Sequence, residues 1–192
     1  MGGTVSVAPY PDWIRPPVSG YVAEDLDRLP DLPPHTELLD GSLIFMSAQT
    51  KFHMRTLRRL ERALEGAVPA GWEVWREMTV KLNRRDRPEP DLIVVDERGD
   101  TGPRQTMCEA EDVLLAVEVV SQESQERDRD TKPRKYAAAG ILHFWRVEGD
   151  DEGRPIVYVY ELDPATRAYG LTGIHHKQLK VDQPFPVEID LT

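Results

Sequence analysis

Two apolar segments, each carrying one carboxylate, constrain the fold of this chain most strongly. Residues 92–95 read Leu-Ile-Val-Val directly after Asp91, and residues 113–120 read Val-Leu-Leu-Ala-Val-Glu-Val-Val, with Glu118 near the end. Nearly continuous apolar runs of this length are typical of strands that are buried on both faces of a sheet covered by helices. The sequence therefore predicts a layered fold with a central sheet and with two acidic side chains at its core.

Weaker signals place other elements around these two strands. Asp40-Gly41 lies between two apolar stretches and predicts a two-residue β-hairpin. An apolar stripe at spacings of three and four predicts a helix from Thr50 to Ala67. Residues 128–139 predict a second helix, which Gly140 would end. A short helix is predicted at 22–29, and further strands at 72–76, 78–82, 141–147, 156–162 and 185–191.

This order of elements favours an α/β (α+β) fold with a mixed central sheet flanked by helices, because too few helices alternate with strands for a doubly wound sheet. The 192 residues are enough for one domain, expected over residues 20–192. The Pro- and Gly-rich residues 1–19 are expected to be flexible. Residues 1–19 also lack the pattern of a signal peptide.

Charge and cysteine content bear on the setting and on the partners of the chain. Cys108, the single cysteine, falls in a stretch that reads as a polar loop, and excludes an intrachain disulfide framework. A single cysteine favours a reducing, intracellular setting, so a cytoplasmic protein is expected, and no apolar run is long enough to span a bilayer. The net charge of -10 argues against a generally basic nucleic-acid-binding surface. Five basic residues nevertheless cluster in each of 51–62 and 127–135, either as solvated helix faces or as local contacts to nucleic acid.

Asp91 and Glu118 are the candidate metal ligands. A carboxylate inside an apolar strand is costly unless it is paired or binds a cation. If the two strands are neighbours, their carboxylates converge at one end of the sheet and suit Mg²⁺ or Mn²⁺. Two structural alternatives stay open: Asp91 marks the start of a strand after Pro90, or Glu118 pairs with a buried arginine.

Lys132 is the candidate for the third member of such a site. Hydrolysis of a phosphodiester needs a water nucleophile, a cation on the phosphate oxygens and stabilisation of the negative charge that develops in the transition state. A lysine near both carboxylates could position the water or stabilise that charge. Lys132 lies at the start of the predicted helix that follows Glu118. The alternative is an ordinary surface lysine.

These residues resemble one family, the Uma-type restriction endonucleases of the PD-(D/E)xK nuclease superfamily. The resemblance spans roughly residues 20–190, and its order and spacing are more specific than its single motifs. The matching residues are Glu37-Leu38-Leu39-Asp40-Gly41, His53, Pro90-Asp91, Glu118-Val119-Val120-Ser121, Arg127 to Lys132, Tyr136, Ala139-Gly140-Ile141 and Phe144-Trp145.

The resemblance implies a restriction-endonuclease-like core and a metal-dependent DNA endonuclease that uses Mg²⁺ or Mn²⁺. It implies that Asp91 and Glu118 are metal ligands and that Glu37 is a further acidic member. The superfamily's usual lysine position is Val120 here, and the resemblance assigns that role to Lys132 on the following helix. Pro133 departs from the family pattern and leaves Lys135 as a substitute. Nucleases of this size are expected to form homodimers.

Two questions stay open at this point. His53 shares a stripe with leucines, so it is either a hydrogen-bonded core histidine or a site residue that contacts Glu37 or phosphate. The alternative function is a catalytically inactive module with the nuclease fold that binds DNA or a partner protein. His175-His176 is interpreted as incidental, because adjacent residues of a strand point to opposite faces.

Overall fold

The computed structural model describes Pro11 and residues 14–192. In this part of the chain there are two α-helices, α1 (Lys51–Ala67) and α2 (Lys132–Ala139). The strands of the same residues are β1 (Thr36–Leu39), β2 (Ser42–Phe45), β3 (Trp72–Arg76), β4 (Thr79–Lys81), β5 (Leu92–Asp96), β6 (Met107–Glu109), β7 (Val113–Val119), β8 (His143–Gly149), β9 (Pro155–Asp163), β10 (Ala168–His176), β11 (Gln178–Val181) and β12 (Val187–Asp190).

The central sheet is mixed, and within the described residues its six strands lie in the order β10-β9-β8-β7-β5-β3. Only β7 and β8 pair in parallel; the other neighbours are antiparallel. The chain between β7 and β8 contains α2, as a parallel connection requires. β1 and β2 form the separate N-terminal hairpin predicted around Asp40-Gly41. Both turn residues have positive φ, 52° and 77°, as a type I′ turn needs.

Each face of the central sheet has its own hydrophobic core. Leu57, Leu60 and Leu64 of α1 pack on one face, together with residues of the β11–β12 hairpin. Tyr136 of α2, with residues of β4 and β6, covers the other face. The two apolar strands β5 and β7 lie side by side in the middle of the sheet and contribute alternate residues to both cores. The predicted mixed sheet flanked by helices is therefore confirmed.

The first helix was predicted almost to the residue, because Thr50 caps it. The Thr50 side chain accepts a hydrogen bond from the backbone N–H of His53 at 3.2 Å, which satisfies one free donor of the first turn. The second helix differs from its prediction. Arg127–Thr131 forms a π-helical turn, and regular α-helix begins only at Lys132 and ends at Gly140, whose φ is 91°.

Other predictions were wrong or incomplete. Cys108 lies in β6 and is buried, not in a polar loop; burial raises the pKa of its thiol to about 12. The predicted helix at 22–29 is a 3₁₀ helix over Ala23–Asp27. Three strands had no counterpart in the prediction: β6, β10 and β11. β10 reads poorly as a strand because most of its side chains are exposed and two glycines interrupt it.

Most of residues 1–19, which were expected to be flexible, lie outside the described residues, which begin at Pro11 and resume at 14. Neither α1 nor α2 combines the length and the apolar character that crossing a bilayer requires, and the described chain contains no other α-helix.

Candidate active site

The sheet brings Asp91 and Glu118 together at one end. Leu92 of β5 pairs with Val117 of β7 in an antiparallel register, so that Asp91, one residue earlier, lies across from Glu118. The premise that the two carboxylate-bearing strands are neighbours is therefore correct. Glu118 lies one position past Val117 on the sheet face that α2 covers. Its side chain is 3% exposed, whereas that of Asp91 is 13% exposed, so Asp91 lies nearer to solvent.

Lys132 occupies the centre of the carboxylates. Its Nζ lies 2.8 Å from Oε1 of Glu37 and 3.0 Å from Oε1 of Glu118. It is also 3.6 Å from Oδ1 of Asp128, and its side chain is almost entirely buried. The interpretation of Lys132 as an ordinary surface lysine is therefore wrong. Glu118 has the buried cationic partner that its position requires, and that partner is a lysine rather than an arginine.

Two further residues of this cluster, Asp128 and Tyr136, carry part of the family resemblance but were assigned no role from the sequence. They lie four residues before and four residues after Lys132, on the same side of the π-helical turn and α2. The Tyr136 hydroxyl donates to Oε1 of Glu118 at 2.5 Å. Their spacing of four residues on either side of Lys132 is the sequence signal that could have identified both.

The buried cluster has more carboxylates than cationic groups, and this excess affects the pKa values of its members. Burial raises the pKa of Glu118 well above its usual value, and Asp128, Asp91 and Glu37 add to this effect while Lys132 opposes it. Burial opposes the charge of Lys132, but the surrounding carboxylates raise its pKa well above the usual value. Burial and the same carboxylates also raise the pKa of Tyr136. The lysine is thus held as an ammonium ion and the tyrosine as a phenol at neutral pH.

His53 lies on α1, on the face of the sheet opposite to α2, and fixes the orientation of Asp91. Its Nε2 is 2.8 Å from Oδ1 of Asp91, and the backbone N–H of Val119 donates to Oδ2 at 2.6 Å. His53 is buried on α1, as its leucine stripe indicates. It is therefore a hydrogen-bonded buried histidine, and its partner is the site carboxylate Asp91 rather than Glu37. Both oxygens of Asp91 have a fixed orientation as a result.

Glu37 reaches the site from the N-terminal hairpin. Its Oε1 accepts from the backbone N–H of Glu89 at 2.9 Å and faces Lys132. Its Oε2 is buried and has no hydrogen-bond partner among the described residues. Beside it, Glu89 binds Nδ1 of His35 at 2.5 Å, and burial raises the pKa of Glu89. Glu37 is therefore the innermost carboxylate, with one oxygen unused.

Lys135, the substitute candidate, lies outside this cluster. Its Nζ binds Oδ1 of Asp40 at 2.6 Å and Oδ1 of Asp86 at 2.8 Å, which ties α2 to the turn of the hairpin. Pro133 is accommodated in the first turn of α2, where a missing N–H costs nothing. It leaves Lys132 directed into the site.

The possible donors for a cation are all carboxylate oxygens. Among residues 11 and 14–192, no three His, Cys, Asp or Glu side chains are arranged closely enough to hold a metal by themselves. Asp91 and Glu118 form a pair across neighbouring strands, with Glu37 and Asp128 further into the cluster. Mg²⁺ typically takes one or two protein carboxylates and completes its shell with water and substrate phosphates, so a pair meets its usual need.

Comparisons with known proteins identify the family and the fold. The family model described as "Uma2: Putative restriction endonuclease" matches residues 23–192. No curated protein matches the chain. Among solved structures, the chain is similar to a putative nuclease belonging to DUF820 from Anabaena variabilis, with a TM-score of 0.64 and 13% identity over 84% of this chain and 88% of that chain. This likeness shows the fold.

NucC structures are more distant neighbours. The apo form from E. coli MS115-1 gives a TM-score of 0.35 at 12% identity, over 62% of this chain and 80% of that chain. The cAAA-bound form from P. aeruginosa ATCC27853 gives 0.36 at 14% identity, over 66% and 85%. These similarities are too weak to add to the argument. The family match extends over both carboxylate-bearing strands, both α-helices and the N-terminal hairpin, and the chain therefore belongs to the Uma2 family.

Proposed function

We propose that the protein is a metal-dependent endonuclease that hydrolyses DNA phosphodiester bonds, with Asp91 and Glu118 as the ligands of Mg²⁺ or Mn²⁺. The observation that carries this proposal is the group of three carboxylates, from Glu37, Glu118 and Asp128, around one buried lysine, with Asp91 across from Glu118. A purely structural ion pair needs one carboxylate for one lysine. The additional buried carboxylates destabilise the fold, which is typical of functional sites.

The residues present fit a divalent cation. Carboxylate oxygens are the hard donors that Mg²⁺ and Mn²⁺ prefer. Oε2 of Glu37 and Oδ1 of Asp128 are buried and accept no hydrogen bond within the described chain. The raised pKa of Glu118 reflects the same uncompensated charge, which a bound cation would relieve. A cation held by Asp91 and Glu118 would supply charge neutralisation at the phosphate oxygens and would lower the pKa of a bound water.

The protein's own side chains then have distinct roles. Lys132 remains protonated, so it cannot accept a proton from water; it donates hydrogen bonds and stabilises negative charge on the phosphate in the transition state. Tyr136 holds Glu118 in one orientation through its hydroxyl. His53 and the backbone N–H of Val119 hold Asp91 in the same way. These supporting contacts keep the two ligands at fixed positions before substrate binds.

The test is cleavage of supercoiled plasmid and of single-stranded DNA with Mg²⁺ or Mn²⁺, comparing the wild type with Glu118→Gln and Lys132→Gln. Each variant is expected to lose about 100-fold or more in rate, the usual effect of removing a group that stabilises the transition state. Arg134→Gln is the matched control, because Arg134 lies on the same helix but is exposed and pairs only with Asp130. Circular dichroism establishes that each variant is folded.

The outcomes separate the possibilities. Metal-dependent nicking that both site variants lose, and that the control keeps, supports the proposal. Cleavage that Lys132→Gln retains at the wild-type rate would remove Lys132 from the mechanism. If folded wild-type protein cleaves neither substrate with either metal, while Asp91→Asn abolishes Mn²⁺ binding measured by calorimetry, the inactive binding module becomes the better description.

We also propose that the protein acts as a homodimer, so that each site can address one strand of a duplex. In the described part of the chain, the outer edge of β10 pairs with no further strand, and a second copy could extend the sheet there. Multi-angle light scattering at micromolar concentration tests this, and a monomeric mass would contradict it.

A further inference from the structure

A groove of about 160 Å³, lined by both polar and apolar residues, lies directly beside the carboxylate cluster. One wall is the segment that leads from β2 into α1, and the other follows the end of β7. Both walls continue into the site. Thr50 caps the helix that carries His53, and Ser121 follows Val119, whose N–H holds Asp91. The polar side chains that line the groove are Gln49, Thr50, Ser121, Gln122, Glu123 and Arg127.

Arg127 is the unusual residue of this groove. It is half-buried, and its Nε is fully buried without a hydrogen-bond partner. Nor does its guanidinium form an ion pair with any described residue, whereas Arg129, two positions later, pairs with Glu148. A buried donor without a partner costs free energy, and an arginine presents five donors in a planar fork. The energetic cost indicates that a partner is supplied from outside the chain.

The backbone ties Arg127 to the site. The N–H of Lys132 donates to the carbonyl oxygen of Arg127, the bond that closes the π-helical turn. Turns of this kind are rare and occur frequently at functional sites. Because the next residue, Asp128, faces Lys132, the same turn directs one side chain into the carboxylate cluster and the adjacent one into the groove.

The charged and polar side chains of the groove indicate which kind of ligand it would bind. Besides the apolar residues Phe45, Met46 and Ala48, its lining consists of hydroxyl and amide groups, one arginine and one acidic residue, Glu123, which is exposed. The carboxylates next to it would repel any anion unless a cation is bound there. A guanidinium fork with hydroxyl donors matches a phosphate group, with which arginine forms bidentate hydrogen bonds.

We propose that this groove binds a backbone phosphate of the nucleic acid, next to the phosphate that is cleaved, through the guanidinium of Arg127. The inference rests on the proposed nuclease function and adds the contact that positions the substrate strand. Arg127 is a positioning residue in this scheme, because it touches a phosphate that does not react. Its contribution is to binding and alignment, with no role in the chemistry at the metal ligands.

The experiment measures binding separately from cleavage. Fluorescence anisotropy of a labelled duplex oligonucleotide in Ca²⁺, with a gel to verify that the duplex stays intact, gives Kd from about 50 to 200 mM KCl. Arg127→Gln is expected to raise Kd about tenfold, as loss of a charged hydrogen bond does. It should also reduce the slope of log Kd against log salt by about 0.9, the value for one phosphate contact. Arg127→Lys should restore the slope but only part of the affinity.

Arg134→Gln is again the control, with unchanged Kd and slope. The melting temperature of Arg127→Gln should equal or exceed that of the wild type, since the substitution breaks no contact within the described protein. If wild-type protein cleaves DNA but Arg127→Gln binds with wild-type Kd and slope, this inference is overturned and the nuclease proposal stands. If Arg127→Gln shows the expected change in slope but the wild type does not cleave DNA, phosphate binding in the groove is supported and the nuclease proposal fails. If the wild type neither binds nor cleaves, both fail.

Discussion

At the scale of single residues, Asp128 is a buried carboxylate whose negative charge lowers the stability of the fold. It is buried, and its Oδ1 accepts no hydrogen bond among the described residues although Lys132 lies 3.6 Å away. Burial raises the pKa of Asp128, Lys132 lowers it, and the nearby Asp91 and Glu37 raise it further, with a net increase. At neutral pH its ionised form therefore costs free energy of folding.

We predict that Asp128→Asn stabilises the protein near pH 8 by about 1 kcal/mol, or about 2–4 °C in melting temperature. A group whose folded pKa lies above its unfolded value contributes its full stability below the unfolded pKa, and loses it as the pH rises through the folded pKa. The gain should therefore shrink as the pH falls from about 8 towards 4. Thermal unfolding across this range tests it, with the exposed Asp130→Asn as control. A variant that melts below the wild type at all pH values contradicts it.

Tyr136 supports a second prediction, on the orientation of Glu118. Tyr136→Phe removes the hydroxyl that donates to Oε1 of Glu118 and leaves a buried carboxylate with one donor fewer, at a cost of about 1–3 kcal/mol. Tyr169→Phe is a matched control, because its hydroxyl donates to the carbonyl of Ile141 at 2.8 Å in the same core cluster but away from the site. Both variants should melt lower, but only Tyr136→Phe should weaken Mn²⁺ binding measured by calorimetry. Equal Mn²⁺ affinities in the two variants would show that Tyr136 is purely structural.

At the scale of elements, the N-terminal hairpin positions Glu37 and depends on a tight turn. Gly41 has φ of 77°, and a Cβ at this position would lie 2.6 Å from Nη2 of Arg85. Arg85 in turn donates to the carbonyl of Asp40 at 2.6 Å, so moving its guanidinium away from a Cβ would break this hydrogen bond. The turn therefore needs glycine for two reasons, its backbone conformation and the close approach of Arg85.

We predict that Gly41→Ala lowers the melting temperature more than Gly71→Ala does. Gly71 shares the positive φ, 91°, but a Cβ added there would have no described atom within 4 Å, so it isolates the conformational cost of about 1 kcal/mol. Gly41→Ala adds the steric clash with Arg85 and should displace β1, which carries Glu37. DNA cleavage should therefore fall in Gly41→Ala but not in Gly71→Ala. Equal melting temperatures would show that Arg85 can move at no cost.

The same elements show what a sequence can reveal. The apolar runs, the helical stripe and Asp40-Gly41 predicted β5, β7, α1 and the hairpin, because each has a short-range period or turn signal. Asp91, Glu118 and Lys132 were singled out from their positions in and after the apolar strands, and Glu37 from the family resemblance. The fold brings the four residues to one end of the sheet. The partners of the site were harder to foresee. That His53 meets Asp91 depends on how helix α1 packs on the sheet, which no local pattern encodes.

At the scale of the whole molecule, the net charge of -10 and the polyanionic substrate oppose each other. The basic residues of α1 partly offset this: Lys51, Arg55 and Arg58 are exposed and form no ion pair with described residues. Lys51 and Arg55 lie in the first turns of α1, directly after Thr50 of the groove. A nucleic acid substrate would thus meet long-range repulsion from the molecule and short-range attraction at one place.

These two effects respond differently to salt, which gives a prediction about kinetics. Screening over a Debye length of about 10 Å at 0.1 M removes the long-range repulsion, so the association rate constant should rise between about 10 and 100 mM KCl. The dissociation rate constant should rise more steeply, because the local phosphate contacts weaken with added salt.

Stopped-flow anisotropy with a labelled duplex separates the two constants. In Lys51→Gln/Arg55→Gln the dissociation rate constant should be higher and less dependent on salt, whereas its association rate constant should keep the wild-type trend. An association rate constant that falls with salt, as for a basic DNA-binding protein, would mean that the local basic surface and not the net charge governs the encounter.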